Sequence, residues 1–229
     1  MKCVQVNENT VLLTLGDAID LALSDKIGVI TGELKREFKD WIIDITPSYT
    51  TILIEYEPLK LSANEVTDRV GEILSKYDPT QLTVDRKTIE LPVYYHPEVA
   101  PDLEYLCEKL SIGIDELIEL HAGKPYLVCA IGFAPGFGFL AEVDPKIQFP
   151  RKESPRKRVA AGSVGIADKQ TAVYPADSPG GWQIIGNCPV QLFNPEKKEY
   201  MPFAVGDRIK FSQIDRDEYL SLGGKIGPC

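Results

Sequence analysis

From Tyr126 onward the chain is cut repeatedly by glycine and proline. Short apolar runs at 127–133, 159–160, 170–174, 183–185, 190–193 and 208–211 alternate with turn-forming residues. Proline removes a backbone donor and glycine weakens a helix, so long helices are excluded there. Short strands joined by tight turns remain, and regular strands with turn signals predict a β-barrel or sandwich.

The first part of the chain reads differently. Residues 3–15 place Val4, Val6, Val11 and Leu13 at strand-like spacing, and Asp17 is positioned to cap a helix running to about Phe38. Strand-like runs at 41–45 and 51–56 flank Pro47 and Ser48, a turn signal. Ser62-Ala-Asn-Glu65 is a capping box, followed by Val66, Val70, Ile73, Leu74 and Tyr77 on one helical face. After Asp78-Pro79 a strand is expected at 89–94. The order β-α-β-β-α-β predicts a ferredoxin-like domain over residues 1–86, its last strand shared with or leading into the next domain, with residues 87–229 forming the β-barrel domain; the chain as a whole reads as α+β, mainly β. Two short helices are expected from Asp102, the second presenting Ile114, Leu117, Ile118 and His121 and stopping at Gly123.

The net charge of −9, from 34 acidic against 25 basic residues, repels nucleic acid and anionic membrane surfaces. The most apolar stretch, 126–141, is interrupted by Gly132, Pro135, Gly136 and Gly138, and a membrane helix needs roughly 20 apolar residues. A soluble, cytoplasmic protein is expected. Cys3, Cys107, Cys129, Cys188 and Cys229 are odd in number and lack CxxC spacing, which fits free thiols in a reducing compartment. With only His96 and His121 available, no metal site is expected.

Four segments carry chemistry. Residues 132–140, GFAPGFGFL, read either as a tight aromatic barrel corner, which composition favours, or as a pocket wall in which Phe133, Pro135, Gly136 and Phe137 meet a ligand. Residues 151–158, RKESPRKR, are strongly basic. Lys152 and Lys157 read as solvated, while Arg158, beside Val159-Ala160-Ala161, reads equally as a solvated residue of the run or as turned inward toward an anion. The small residues of 161–167, AGSVGIA, expose backbone N–H groups to an anion. GxxxxGK[ST] is absent, so ATP binding by this chain has no support. In 174–182, Pro179-Gly180-Gly181 turns Trp182 toward a core, and Ser178 lacks G-x-S-x-G context. His121 reads as a partly buried histidine at a helix end or as a proton-transfer group at a pocket rim.

Taken in order, His121, GFAPGFGFL, Pro155-Arg156, AGSVGIA, Gln170-Thr171, Tyr174-Pro175, SPGGW and Ile185-Gly186 resemble the family of 5-oxoprolinase B subunits, KipI and allophanate hydrolase subunit 1. The resemblance spans nearly the whole chain and includes Thr46-Pro47-Ser48-Tyr49. It implies a cyclophilin-like C-terminal barrel whose pocket draws on His121, Phe133, Pro135, Gly136, Phe137, Arg156, Arg158, Ser163, Gln170, Thr171, Ser178 and Gly181, with His121 the candidate for catalysis. Gly138-Phe139 stands where the family usually has Pro-Tyr, and Asn187-Cys188 where it usually has Arg-Thr. The resemblance also implies one component of an ATP-dependent 5-oxoprolinase, inactive alone, with C-type and A-type 5-oxoprolinase chains as partners and ATP used by the complex. The alternative is a KipI-like inhibitor of a sensor histidine kinase. A third relative, the biotin-dependent urea-degrading enzymes, is disfavoured because this chain has no biotinyl segment.

Overall fold

A computed structural model describes residues 2–18, 20–75 and 86–227. The chain divides into two compact units, Met1–Arg86 and Lys87–Cys229.

In the first unit the alternating N-terminal run is not one strand. It folds as a hairpin of β1 (Lys2–Asn7) and β2 (Thr10–Thr14). Asn7, Glu8 and Asn9 favour a turn: Asn7 Oδ1 accepts the Asn9 N–H at 3.0 Å, and the Glu8 carbonyl accepts the Tyr56 hydroxyl at 3.0 Å. Then come α1 (Leu21–Glu37), β3 (Ile42–Pro47), β4 (Thr51–Tyr56) and α2 (Ala63–Ser75). Asp20 rather than Asp17 caps α1. It holds the extended conformation just before the first turn, and its carboxylate accepts the Ala22 N–H at 3.3 Å. The capping box forms: Glu65 Oε2 accepts the Ser62 N–H at 2.8 Å, and Ser62 Oγ accepts the Glu65 N–H at 3.3 Å.

The sheet is antiparallel in the order β1-β2-β4-β3. Alternation puts Val11, Leu13, Ile45, Ile52, Ile54 and Tyr56 on one face, where they meet Ile27, Ile30 and Leu34 of α1 and Val66 and Val70 of α2. Each fully buried aliphatic contributes about 1.5–3 kcal/mol. Tyr77 and Asp78-Pro79 lie outside the described residues. The expected closing strand of this unit belongs to the second one. There β5 (Thr88–Val93) pairs in parallel with β13 (Arg208–Gln213), so among the described residues the ferredoxin-like order is not formed. A parallel partner so distant in sequence leaves no local signal.

The second unit begins with β5, then α3 (Leu103–Leu110) and α4 (Ile114–Ala122). Strands follow: β6 (Tyr126–Ile131), β7 (Gly138–Ala141), β8 (Arg156–Val159), β9 (Ser163–Ala167), β10 (Gln170–Val173), β11 (Ser178–Gly180) and β12 (Gln183–Asn187). After β13, α5 (Arg216–Ser221) ends the regular structure. Seven strands form one sheet in the order β12-β9-β10-β7-β6-β13-β5. It curls until its edges meet: Tyr94 and Asn187 exchange backbone hydrogen bonds of 2.9 and 3.0 Å, giving a nearly closed barrel. Strands β8 and β11 form a separate ribbon.

Inside the barrel lie Leu91, Val93, Val128, Leu140, Val164, Ile166, Val173, Ile185, Ile209 and Phe211, mostly at alternate strand positions. Residues 190–193 are not a strand. Pro189 and Pro195 bracket them, so the run contributes only a buried Leu192. No described helix is long and apolar enough to cross a membrane. Cys3, Cys107, Cys129 and Cys188 are free thiols, and Cys229 lies outside the described residues.

Candidate functional site

Three of the five basic residues of the run, Lys152, Arg156 and Arg158, find carboxylates within the chain. Asp102, 3% exposed, sits just before α3. Its Oδ1 accepts Arg156 Nη2 at 2.5 Å and Lys152 Nζ at 3.1 Å, while Oδ2 accepts the Ile184 N–H at 2.7 Å. Lys152 is therefore anchored rather than solvated, because a buried carboxylate needs cationic partners. Arg156 is a structural cation, and Arg151 lies 5.6 Å from the Trp182 ring centre.

Arg158 points outward, not inward. Its side chain is 66% exposed, and Asp177 Oδ2 accepts from its Nε and Nη2 at 2.8 Å each. On β8 the alternation turns Val159 into the core and leaves Arg158 at the surface.

His121 is not at a pocket rim. It is fully buried at the end of α4, stacked on Phe211 at 4.7 Å. Thr171 Oγ1 donates its proton to the Gly165 carbonyl at 3.0 Å, so at 2.8 Å it accepts from His121 Nε2–H. Nδ1 then accepts from the Tyr95 hydroxyl at 2.7 Å. This network fixes the neutral Nε2–H tautomer, and burial pushes the imidazole down to about 3. His121 and Thr171 thus tie α4 to β10 as core groups.

The GFAPGFGFL segment builds an aromatic cluster. Phe137, 2% exposed, makes edge contacts with Phe139, Tyr174 and Trp182 at centroid distances of 4.9, 5.3 and 5.6 Å. Trp182 is core. Pro135 and Gly136 shape the turn that lets the Phe137 N–H reach the Ala134 carbonyl at 3.0 Å. Phe133 caps the cluster from outside, 64% exposed and 5.1 Å from Phe137, in the left-handed region at φ +70°. A bulky side chain held there is strained, a feature that clusters at functional surfaces.

Tyr174 leads through Pro175 into a cleft of about 480 Å³, lined by Arg158, Gly162, Asp177, Asn187, Cys188 and Lys225 among others. Gly162, at φ +81°, is required here: a Cβ would lie 2.3 Å from the Cys188 carbonyl oxygen and 2.6 Å from Asn187 Oδ1. Asp177 Oδ1 accepts the Ala161 N–H at 2.9 Å, and this bond, with Arg158, holds its carboxyl below the usual range. Burial pushes the Cys188 thiol up to about 11. At neutral pH Asp177 is therefore an anion and Cys188 a thiol; the cleft is equipped to bind rather than to move protons alone.

The sequence candidates separate into distinct places. Phe133 and Phe137 share the aromatic cluster with Pro135 and Gly136 in the turn between them, Arg158 lines the cleft, Arg156 joins Asp102, and His121 and Thr171 enter the core. Ser163 is buried at the start of β9; its hydroxyl and that of Ser178 have no hydrogen-bond partner among the described residues. Gln170 lies half-buried on β10, and the Gly181 carbonyl accepts the Lys152 N–H at 2.7 Å. Asp177 is not among the sequence candidates; the signal that could have found it is its place as the one acidic residue within the 174–182 segment. Asp102 and Lys225 carry no local signal, since their partners are distant in sequence. Among the described residues no cluster of His, Cys, Asp and Glu is placed to hold a metal ion.

Residues 1–203 match the carboxyltransferase domain, subdomain C and D. The chain is 32% identical to the 5-oxoprolinase B subunit of Bacillus subtilis, covering 94% of this chain and 93% of that protein. Against the 5-oxoprolinase B subunit of Escherichia coli O157:H7 it is 33% identical, over 92% and 94% respectively. The crystal structure of TTHA0988 superposes with a TM-score of 0.80 at 29% identity, covering 96% of this chain; this chain spans only 41% of that longer one. With a family match over most of its length and relatives matched nearly end to end, the chain belongs to the family of 5-oxoprolinase B subunits, built on carboxyltransferase subdomains C and D.

Proposed function

We propose that this chain is the non-ATP-binding B-type component of a multi-subunit 5-oxoprolinase, contributing one wall of a composite site formed with a C-type partner chain. The observation that carries this reading is the nearly end-to-end match to two proteins named as B subunits of 5-oxoprolinase. The cleft adds chemical support. It holds a guanidinium and a lysine suited to a carboxylate, whereas the N–H groups of Ala161, Gly162 and Ser163, expected to face an anion, are already donated to Asp177 Oδ1 and to the Tyr174 and Ala160 carbonyls; Asp177 and Cys188 are poorly suited as a base or nucleophile. The remaining machinery then belongs to other chains, with ATP bound by a partner because this sequence has no phosphate-binding loop.

The lactam is a stable amide, so its opening needs an energy input. In the reaction proposed for the complex, the ring amide oxygen attacks the γ-phosphorus and ADP leaves. Water then adds to the activated carbon, the ring C–N bond breaks, and hydrolysis releases phosphate and glutamate. The cyclophilin-like barrel supplies the rigid face, and exposed Phe133 suits a contact with the partner chain. The test is 5-oxoproline-dependent ATP hydrolysis by this chain co-purified with A-type and C-type 5-oxoprolinase chains, each omitted in turn. Activity that disappears without this chain is expected. A fully assembled complex that turns over equally well without it would refute the role.

A further inference from the structure

One wall of the cleft is the C-terminal tail. After α5 the chain turns back over Tyr219, whose hydroxyl accepts the Lys225 N–H at 3.2 Å. The same hydroxyl directs its proton between Asn187 Oδ1 at 3.0 Å and the Lys225 carbonyl at 3.1 Å. Asn187 also donates Nδ2 to the Ala161 carbonyl at 3.0 Å and closes the barrel through its backbone. The tail is thus docked on the barrel seam. Gly224 permits the docking: a Cβ there would lie 2.5 Å from the Tyr219 ring. Lys225 is delivered to the cleft beside Arg158, close enough that its charge helps keep Asp177 ionised.

Among the described residues, the charged side chains lining the cleft are those of Arg158, Lys225 and Asp177, a formal sum of +1 in a chain of −9. Asp177 is already held by the Ala161 N–H and by two of the five donors of Arg158. The surplus is one positive charge, flanked by the amide side chains of Asn187 and Gln191. That complement fits a small molecule with one carboxylate and an amide.

We infer that Lys225, carried by the docked tail, determines the specificity of this cleft and, with Arg158, holds the carboxylate of a small amide-bearing monoanion. The choice of 5-oxoproline as probe rests on the 5-oxoprolinase reading; the role of Lys225 does not.

The test is an NMR titration of the ¹⁵N-labelled full chain, alone and in the assembled complex, with 5-oxoproline and with 2-pyrrolidinone, the same lactam without a carboxylate. 5-Oxoproline is expected to shift the amides of Ala161, Gly162, Gly224 and Lys225 and to bind more tightly than 2-pyrrolidinone. Lys225→Gln should weaken 5-oxoproline binding about tenfold, while Lys225→Arg restores most of it. Lys225 is exposed, so both variants should fold. Equal affinity of wild type and Lys225→Gln, equal affinity for the two lactams, shifts that map elsewhere, or no saturable binding in either form would overturn the inference. Charge-dependent binding in a complex without 5-oxoprolinase activity would uphold Lys225 and defeat the functional reading. Activity with a KM indifferent to Lys225→Gln would do the reverse.

Discussion

Acid should destabilise the second unit through His121 before its carboxylates begin to titrate. The imidazole is wholly enclosed and pushed by burial from its ordinary 6.5 to about 3. The unfolded chain therefore takes up this proton first as pH falls, and stability present above about pH 7 is lost progressively toward pH 3. With these two values, the loss between pH 7 and pH 5 is about 2 kcal/mol, and the limit over the full window is about 5 kcal/mol. Unperturbed carboxylates titrate near 4, so the upper window belongs mainly to histidine. The chain has two tryptophans, Trp41 and Trp182, one in each unit. In a Trp41→Phe background, urea unfolding followed by Trp182 emission reports on the second unit alone. Its free energy should fall by about 2 kcal/mol from pH 7 to 5, and a His121→Gln variant, less stable at pH 7, should lack that slope. Histidine ¹⁵N shifts should show the Nε2–H tautomer persisting at pH 5. A His121 ring that titrates near 6.5, or a variant with the wild-type slope, would refute the buried-neutral assignment.

Three further perturbations address the scaffold and the site. Asp102→Ala strands Lys152, Arg156 and the Ile184 N–H together; since both cations keep 20–29% side-chain exposure, a loss of about 3 kcal/mol is expected in urea unfolding, at the low end for a broken buried ion pair. Gly162→Ala forces a Cβ against the Cys188 carbonyl in a left-handed conformation, which should cost about 2 kcal/mol or more and abolish cleft binding measured by titration calorimetry. Phe133→Ala should change the chain's own stability by less than about 0.5 kcal/mol yet weaken assembly with the C-type partner chain about tenfold or more, as read by analytical ultracentrifugation.

The local rules of helix and strand were written in the sequence wherever their partners were near. The Ser62/Glu65 box, the run that became β4 and the stop of α4 at Gly123 each depend on residues a few positions apart. Long-range pairing was not visible. The alternation across residues 3–15 holds on both sides of a hairpin, so periodicity alone missed the turn at Asn7–Asn9. The basic run showed its charge but not its counterions, because Asp102 is about fifty residues away from Lys152 and Arg156. Burial decides the fate of His121 and Arg158 in opposite directions, and burial is a property of the closed barrel rather than of their neighbours in sequence.

The parallel pairing of β5 with β13 has a kinetic consequence. Thr88 and Arg208 are register partners, and the Lys87 carbonyl accepts the Arg208 N–H at 2.9 Å, so the barrel's opening strand waits for its closing one. On the ribosome the Met1–Arg86 unit emerges complete and is free to fold early, whereas β5 has an open edge until some 120 further residues have been synthesised. Closing so long a loop makes the barrel a slow, late event. During that interval the exposed edge of β5 is where chaperone binding or misassembly between nascent chains is expected to begin.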